Sequence, residues 1–508
     1  MSFTRGNRRR ALVALSLPLV LGMLGQQAAS ATPAPTAKVK VRPAVALADA
    51  PLPFSFTTTG WTFADIAVGL RPEESSIAPP LIDTRPHDAN GVRKFVSGGV
   101  VYDHPQGQAA LALSMLDGYR LTKDKRYLAV ALANANRLLS YKVVDTSVID
   151  DGAWFFPYRF SFMLHGYPAE TMRGPWYSGM AQGQILQLFS RLSVVTGDAS
   201  WRDAADHTFA SFLIAKRTGA PWVVEHDSDG YVWLEEYASP TGTPTPDHTF
   251  NGHNFAAAGL YDYAQLSKDP RAEKLLDGAL TATLARIPKI HQTGWVSHYC
   301  FAHPEILNTK YHAIHIGQML WFHQMTGDVR FARWADQLMA DYPTSHLTGR
   351  VVVLARGYHR GYRFDSHGKL LGSVLIRLSR SSNAPIDQRA RIFHRAGYYY
   401  EVTKGSLKGT WVKEVAGNQY LNGTLTLIGY RIDRTLAIPA ATRVSGVTVT
   451  SGTGIVARSS MLSFATATQL QFDARGFVNG AERLRVSAGA WKGWWFLASQ
   501  VAVDPPTA

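Results

Sequence analysis

Four stretches of this chain carry residue types able to move protons or grip a sugar, in places where an ordinary connection would be merely polar. The first is Pro175–Gln184, with Trp176, Tyr177 and Gln182. The second is Trp233–Tyr237, with Glu235 and Glu236. The third is Phe250–Asn254, with Asn251, running on into Ala258–Asp262. The fourth is His298–His303, followed by Tyr311–Gln318. Glutamate, histidine and tyrosine can act as general acids and bases, tyrosine only where nearby charge or hydrogen bonds bring its pKa below ~10. A glycoside hydrolase needs two opposed carboxylates. Here Asp227, Asp229, Glu235 and Glu236 crowd one segment and no second acidic loop stands out, which counts against that class. His312 and His315, three apart on a helical face, would suit zinc together with Glu236, but spacing supplies no third ligand, so neither a metal nor another cofactor is expected. Cys300 is the only cysteine. It excludes a disulfide framework, and with no partnered base visible it reads as a small packing residue. Isolated tyrosines usually pack with a bonded hydroxyl, and Trp176, Met180 and Trp233 are residue types more common in cores than on ligand platforms.

The elements that must hold these stretches repeat. Each of four segments is an apolar helical run, a short polar turn and a second run. The turns are Thr122-Lys123-Asp124, Thr196-Gly197-Asp198, Ser267-Lys268-Asp269 and Thr326-Gly327-Asp328, spaced by 74, 71 and 59 residues. Leu111, Met115, Leu116 and Tyr119 keep helical spacing before the first turn, and Tyr127, Val130, Ala131, Asn134 and Leu138 after it. The aspartate of each turn is placed to N-cap the second helix. Helical hairpins bury their faces by stacking. The expected fold is therefore a mostly α domain over 54–343, an (α/α) toroid or barrel of hairpins, with the four stretches converging at one end.

The pattern changes at about Gly349 to short alternating apolar runs with Gly and Asn turns. Val402, Gly405, Lys408, Gly409 and Trp411 recur 84 residues later as Val486, Gly489, Lys492, Gly493 and Trp495. Two related all-β modules are expected, over 349–417 and 418–508, similar to the SH3-like modules appended to secreted bacterial hydrolases. Residues 344–508 hold 21 Lys and Arg against 8 Asp and Glu, a net +13 that leaves 32–343 at −3. Such a surface suits an anionic partner, a uronate-containing polysaccharide or a cell-wall polymer, rather than nucleic acid for an exported chain. Residues 1–31 read as a signal peptide. Arg5, Arg8, Arg9 and Arg10 precede the apolar run Ala11–Leu24, and Ala29-Ser30-Ala31 follows as a cleavage pattern. Residues 32–53, rich in Ala and Pro, read as a linker. No further stretch is long and apolar enough for a membrane span, and a secreted protein is expected.

Trp-Tyr-Ser-Gly-Met-Ala-Gln-Gly-Gln at 176–184, Glu-Glu-Tyr at 235–237, Asn251-Gly252 followed by Gly-Leu-Tyr-Asp at 259–262, and Tyr-His-x-x-His-Ile-x-Gln at 311–318 occur in that order. Over about 95–343 the chain resembles the catalytic domain of the D-glucuronyl C5-epimerase family. The resemblance implies a barrel-like helical domain that inverts carbon 5 of uronic acid residues in a polysaccharide, converting glucuronate to iduronate. It places the family's tyrosines on Tyr237 and Tyr311, with Glu236 before the first, and a further one on Tyr299. At that point the family carries Tyr-Asp-Leu-Arg, whereas this chain has Tyr299-Cys300-Phe301-Ala302. The arginine is absent, and His303 is the candidate replacement. The implied chemistry is proton removal beside a carboxylate whose charge is stabilised by nearby donors, then reprotonation from the opposite face. Tyr237 and Tyr311 are the expected opposed pair, with Glu236 orienting or neutralising. Tyr299, His303 and His312 would meet the substrate carboxylate, while Gln182, Asn251, Tyr177 and Trp176 would contact the sugar. A polysaccharide lyase would begin with the same proton and then expel the group at carbon 4. A non-catalytic glycan-binding protein would not depend on the tyrosine hydroxyls.

Overall fold

The computed structural model describes residues 52–149, 151–343 and 345–505. The expected signal peptide at 1–31, and all of the expected linker but residues 52 and 53, lie outside them. Eight helices form four sequential pairs: α1 (Pro105–Thr122) with α2 (Lys125–Tyr141), α3 (Gly179–Thr196) with α4 (Ala199–Ala210), α5 (Phe250–Ser267) with α6 (Pro270–Ile290), and α7 (Thr309–Thr326) with α8 (Val329–Asp341).

Every pair turns by one local device. The last residue before the turn aspartate is left-handed: Lys123, Gly197, Lys268 and Gly327 have φ between 56° and 70°, and each amide donates to the carbonyl four residues back. The aspartate then caps the next helix. Asp124, Asp198, Asp269 and Asp328 each accept an amide two residues on, at 2.8–2.9 Å. The first helix of a pair is the more deeply buried. Twelve of 18 residues are buried in α1 against four of 17 in α2, and 12 of 18 in α7 against six of 13 in α8. A helix apolar on most faces is an interior helix, and an amphipathic one covers it.

Two compact units divide the described chain: residues 52–59 with 73–282, and residues 60–72 with 283–505. In the first unit, short hairpins fill the connections: β1 (Phe95–Ser97) with β2 (Val100–Tyr102), β3 (Val143–Asp145) with β4 (Ala153–Phe155), β5 (Phe162–Met163) with β6 (Thr171–Met172), and β7 (Val224–His226) with β8 (Val232–Leu234). Helices α3 and α5 cross with their backbones nearly touching. A Cβ placed on Gly183 would lie 2.4 Å from the Ala256 Cα, and one on Gly259 would lie 2.0 Å from the Gly183 carbonyl oxygen.

The second unit holds α7, α8 and two antiparallel seven-stranded sheets. The first contains β9 (Ser345–Leu354), β10 (Gly357–Phe364), β11 (Leu370–Leu378), β12 (Ser382–Ala390), β13 (Tyr399–Val402), β14 (Thr410–Lys413) and β15 (Gln419–Leu421). The second contains β16 (Thr424–Ile438), β17 (Thr442–Val449), β18 (Val456–Phe464), β19 (Thr468–Val478), β20 (Ala481–Val486), β21 (Trp495–Leu497) and β22 (Ala502–Val503). Their strand orders, β11-β10-β14-β13-β12-β9-β15 and β18-β17-β21-β20-β19-β16-β22, are one topology written twice. The sequence echo marks the same turn in both. Gly409 N donates to the Val402 carbonyl at 2.8 Å, and Gly493 N to the Val486 carbonyl at 2.8 Å. Gly405, Gly409, Gly489 and Gly493 all have φ of 70–83°, which is why glycine recurs there.

Buried charge ties α8 to the second sheet. Arg434, whose side chain is 1% exposed, is held by Asp504 at 2.5 Å and by Asp336 of α8 at 2.8 Å, and the Tyr430 hydroxyl donates to Asp336 at 2.5 Å. Cutting the chain at 343 would leave this arginine without Asp336.

Burial also holds three histidines neutral. His104, His312 and His323 are each pushed down to about 4 from an ordinary value of 6.5, with desolvation the main cause. The unfolded chain binds more protons than the folded one between those values. Their contribution is therefore complete above about pH 6.5 and is lost as pH falls toward 4, at up to ~1.4 kcal/mol per pH unit for each group and ~4 for the three. The buried carboxyls of Glu73 and Glu236, pushed up to about 7 and about 8, act in the opposite sense over the same range. The measurement is therefore made on His104→Asn, which keeps an acceptor at the start of α1. Its urea unfolding free energy should fall less steeply than that of the wild type from pH 7.5 to 5, and parallel profiles would contradict the assignment.

Candidate active site

In the first unit the second stretch follows directly from β8. Glu235 N donates to the Val223 carbonyl and Gly179 N, at the start of α3, donates to the Glu235 carbonyl. Tyr177 and Ala238 exchange both backbone hydrogen bonds at 2.9–3.0 Å. A Cβ on Gly179 would come within 2.7 Å of that Glu235 carbonyl, so the residue must be small. His253 of α5 fixes the strand from below. Its Nδ1 accepts the Leu234 amide, its Nε2 faces the Ala279 carbonyl, both at 2.9 Å, and its ring stacks on Trp233 at 3.9 Å. Burial pushes this imidazole down to about 3.

Glu236 and Tyr237 therefore leave a strand anchored on two helices. Glu236 is 9% exposed and lies against Gly252, where a Cβ would meet its Oε2 at 2.0 Å. Burial, then the nearby Asp247 carboxylate, push its pKa up to about 8, while a hydrogen bond with the Tyr237 side chain acts the other way. The half-buried Tyr237 ring rests between Phe162 at 6.0 Å and Trp176 at 5.9 Å. Tyr158 stacks on Trp176 at 3.9 Å, and its hydroxyl accepts the Gln106 amide. His165 pairs with Asp247 at 2.7 Å, a histidine–carboxylate pair close enough for Asp247 to bear on Glu236.

Several expected sugar contacts are instead interior. Gln182 is 0% exposed. Its amide nitrogen donates to the Trp154 carbonyl and the Ser211 hydroxyl, and its oxygen accepts the Phe156 amide. Trp176 is 3% exposed and donates to the Phe160 carbonyl, so it supports Tyr237 and offers no open face. Tyr177 packs edge-on to Phe155 at 5.6 Å, with burial pushing its hydroxyl up to about 12. Asn251 is buried in the first turn of α5. Buried polar side chains must find partners, and for Gln182 and Trp176 the partners are the chain's own groups. The exposed Arg159, whose charge reaches Tyr177, is a cation that spacing did not pick out.

The fourth stretch lies in the second unit. It brings Tyr299 and Tyr311 together, rings 4.5 Å apart and tilted by 55°, and sets the Lys310 ammonium 5.7 Å from the Tyr311 ring. Lys289 lies 5.5 Å from the Phe301 ring. These are cations at the end of α6 and the start of α7, flanking a loop that lacks the family's arginine. His303, the candidate replacement, has its Nδ1 3.4 Å from the Cys300 sulfur, which gives Cys300 the neighbouring base that sequence did not reveal. His312 is turned to the chain's own groups. Its Nδ1 accepts the Ser297 amide at 2.9 Å, and its Nε2 faces the Leu338 carbonyl at 2.9 Å. His315 shares the Ser297 hydroxyl with it. Both rings are held neutral by burial and close hydrogen bonds within the chain.

Residues 150–339 match the family described as the D-glucuronyl C5-epimerase C-terminus. An uncharacterized protein of Methanocaldococcus jannaschii is 23% identical over 224 residues, 42% of this chain and 70% of that one. The D-glucuronyl C5-epimerase of Caenorhabditis elegans is 24% identical over 206 residues, 37% of this chain; the match spans only 32% of the worm enzyme. Among solved structures, the cellobiose 2-epimerase of Spirochaeta thermophila aligns at TM-score 0.34 and 15% identity, over 48% of this chain and 59% of its own. The unsaturated glucuronyl hydrolase of Bacillus sp. GL1 aligns at 0.32 and 16%, over 46% and 60%. Scores of this size do not establish a shared fold.

Proposed function

From the match of residues 150–339 to the family described as the D-glucuronyl C5-epimerase C-terminus, we propose that this chain is a uronate epimerase inverting carbon 5 within a polysaccharide. One observation carries the reading: Glu236, Tyr237, Tyr299 and Tyr311, the residues suited to the chemistry, all fall inside the matched span. In this reading one tyrosine hydroxylate takes the C5 proton and the C–H electron pair moves into the adjacent carboxylate. A second tyrosine returns a proton to the opposite ring face, and the carboxylate is restored. Tyr237 acts on one face, oriented by Glu236, and Tyr311 with Tyr299 acts on the other. Arg159 and Lys310 are the cations assigned to the substrate carboxylate, in place of the family's arginine. The account keeps the (α/α) toroid expected of the helical hairpins.

The account includes export, supported by the Arg5–Arg10 cluster and the apolar run after it. It also includes capture of a polyanionic glycan or cell-wall polymer by the two sheets, supported by their +13 charge. On the outward face of the β10–β11 hairpin, Tyr358 is 62% exposed, with the Arg377 guanidinium 5.6 Å from its ring and Arg360 opposite Leu375. Reversing both arginines (Arg360→Glu with Arg377→Glu) should weaken binding to an anionic polymer about tenfold at low salt and less at high salt. Unchanged affinity would remove the hairpin from the binding surface.

The reaction is tested by incubating the protein with a panel of glucuronate polymers and reading uronate composition by NMR with ultraviolet absorbance in parallel. Iduronate without new absorbance supports epimerisation. New absorbance, from an unsaturated product, assigns a lyase instead, and binding without turnover assigns a glycan-binding protein.

A further inference from the structure

Behind Glu236 and Tyr237, the β7–β8 hairpin and the start of α5 bring together Glu225, Glu235 and His248, each offering one ligand atom with all three atoms within 4.8 Å of one another. Glu235 is wholly buried, at 0% exposure. Its Oε1 accepts the Tyr237 amide at 3.0 Å, and its Oε2 has no hydrogen-bond partner. Glu225 is divided in the same way. Oε1 accepts the Lys216 ammonium at 2.8 Å, while the buried Oε2 has no hydrogen bond and lies 3.8 Å from His248 Nε2. A buried carboxylate oxygen without a donor is costly. Two of them facing the same small volume call for a cation.

His248 is built to face that volume. Its backbone is left-handed, φ 55°, a conformation that is unfavourable for a non-glycine residue and persists where the surroundings impose it. The residue hydrogen-bonds the Pro246 backbone, and Trp233 packs beside the ring at 5.7 Å. Imidazole ligands of metals are commonly fixed through such a backbone contact.

We propose that Glu225, Glu235 and His248 bind a divalent transition-metal ion of the zinc class. Two carboxylates and one imidazole, with positions left for water, form a mixed O/N donor set that suits zinc. Calcium is the contrast, because it takes six to eight oxygen ligands and leaves imidazole unused. His248 and Glu225 are partly exposed, with side chains 29% and 18% accessible, so the ion has an entry route. Bound there, it ties both ends of the β7–β8 hairpin to the turn before α5 and fixes the strand end from which Glu236 and Tyr237 project. The site belongs to one compact unit and does not depend on the reaction assigned above.

The test uses the full chain, stripped with chelator and dialysed against zinc, with calcium in parallel. Metal is counted by mass spectrometry, and unfolding is followed with and without zinc. The expected result is one equivalent of zinc and a raised unfolding midpoint, with no calcium bound. Glu225→Gln and His248→Gly should each lower zinc affinity at least about tenfold. Glycine accepts the left-handed backbone, so His248→Gly should fold, and circular dichroism of the stripped variant checks that it does. Two results would overturn the site: no zinc bound by the wild type, or zinc bound equally well by both variants. Glu235→Gln adds a third arm. If the wild type ignores zinc and Glu235→Gln unfolds like the wild type, the two carboxyls share a proton, and the metal assignment is wrong.

Discussion

Tyr237→Phe should lower turnover by about a thousandfold while leaving the unfolding midpoint close to that of the wild type. The substitution deletes one oxygen. The ring keeps its place against Phe162 and Trp176, at 6.0 and 5.9 Å, and the backbone amide keeps its bond to Glu235. What is lost is the group assigned to carry the C5 proton, and general acid–base groups contribute about 10²–10⁴ in rate. Glu236, already near neutral charge through burial and Asp247, would lose its hydrogen bond from the hydroxyl and nothing else. Turnover within tenfold of the wild type would exclude Tyr237 from proton transfer and leave Tyr299 and Tyr311 as the tyrosines to examine. A lower midpoint together with lower turnover would mean a packing role.

Gly259→Ala should be the most destabilising single methyl in the helical region, about 3 kcal/mol or more. The added Cβ would sit 2.0 Å from the Gly183 carbonyl oxygen and 2.5 Å from its carbon. Both are backbone atoms that no side-chain rotation can clear, so α3 and α5 must separate. Overpacking of this kind costs about 1–3 kcal/mol where side chains can adjust, and more where they cannot. Gly317→Ala in α7 is the control, since nothing lies within 4 Å of its Cβ position. There alanine should be neutral or stabilising by up to about 1 kcal/mol. Equal effects at the two positions in a denaturant titration would contradict the close crossing.

These glycines illustrate what sequence could and could not deliver. Gly183 and Gly259 stood out as motif residues, yet the motif lettering does not separate a glycine that approaches ligand from one that lets two helices touch. The hairpin turns were legible because their physics is local: a left-handed residue followed by an aspartate cap lies within three positions. The doubled sheet was legible for the same reason. The echo at an offset of 84 marks one turn with its glycines, and the matching strand orders carry it through the rest of each sheet.

The polar interior was not legible. Gln182, His312 and Tyr177 have the residue types of a sugar site, but each closes hydrogen bonds or packing made by partners up to 29 residues distant. Whether a glutamine meets a hydroxyl of substrate or of Ser211 depends on tertiary burial, which spacing does not encode. The His165–Asp247 pair spans 82 residues, Arg159 sits within an aromatic run, and the orphan oxygens of Glu225 and Glu235 exist only once a hairpin and a helix start are packed together. Each is a long-range coincidence with no local sequence mark.

The central claim is reversible proton removal at carbon 5, and solvent isotope exchange tests it most directly. The protein is incubated in deuterated water with a glucuronate polymer, and carbon 5 is followed by NMR. The account predicts deuterium at C5 in both glucuronate and newly formed iduronate residues, with incorporation abolished by Tyr237→Phe and by Tyr311→Phe. Polymers that stay protonated at C5 while the wild-type protein binds them would contradict it.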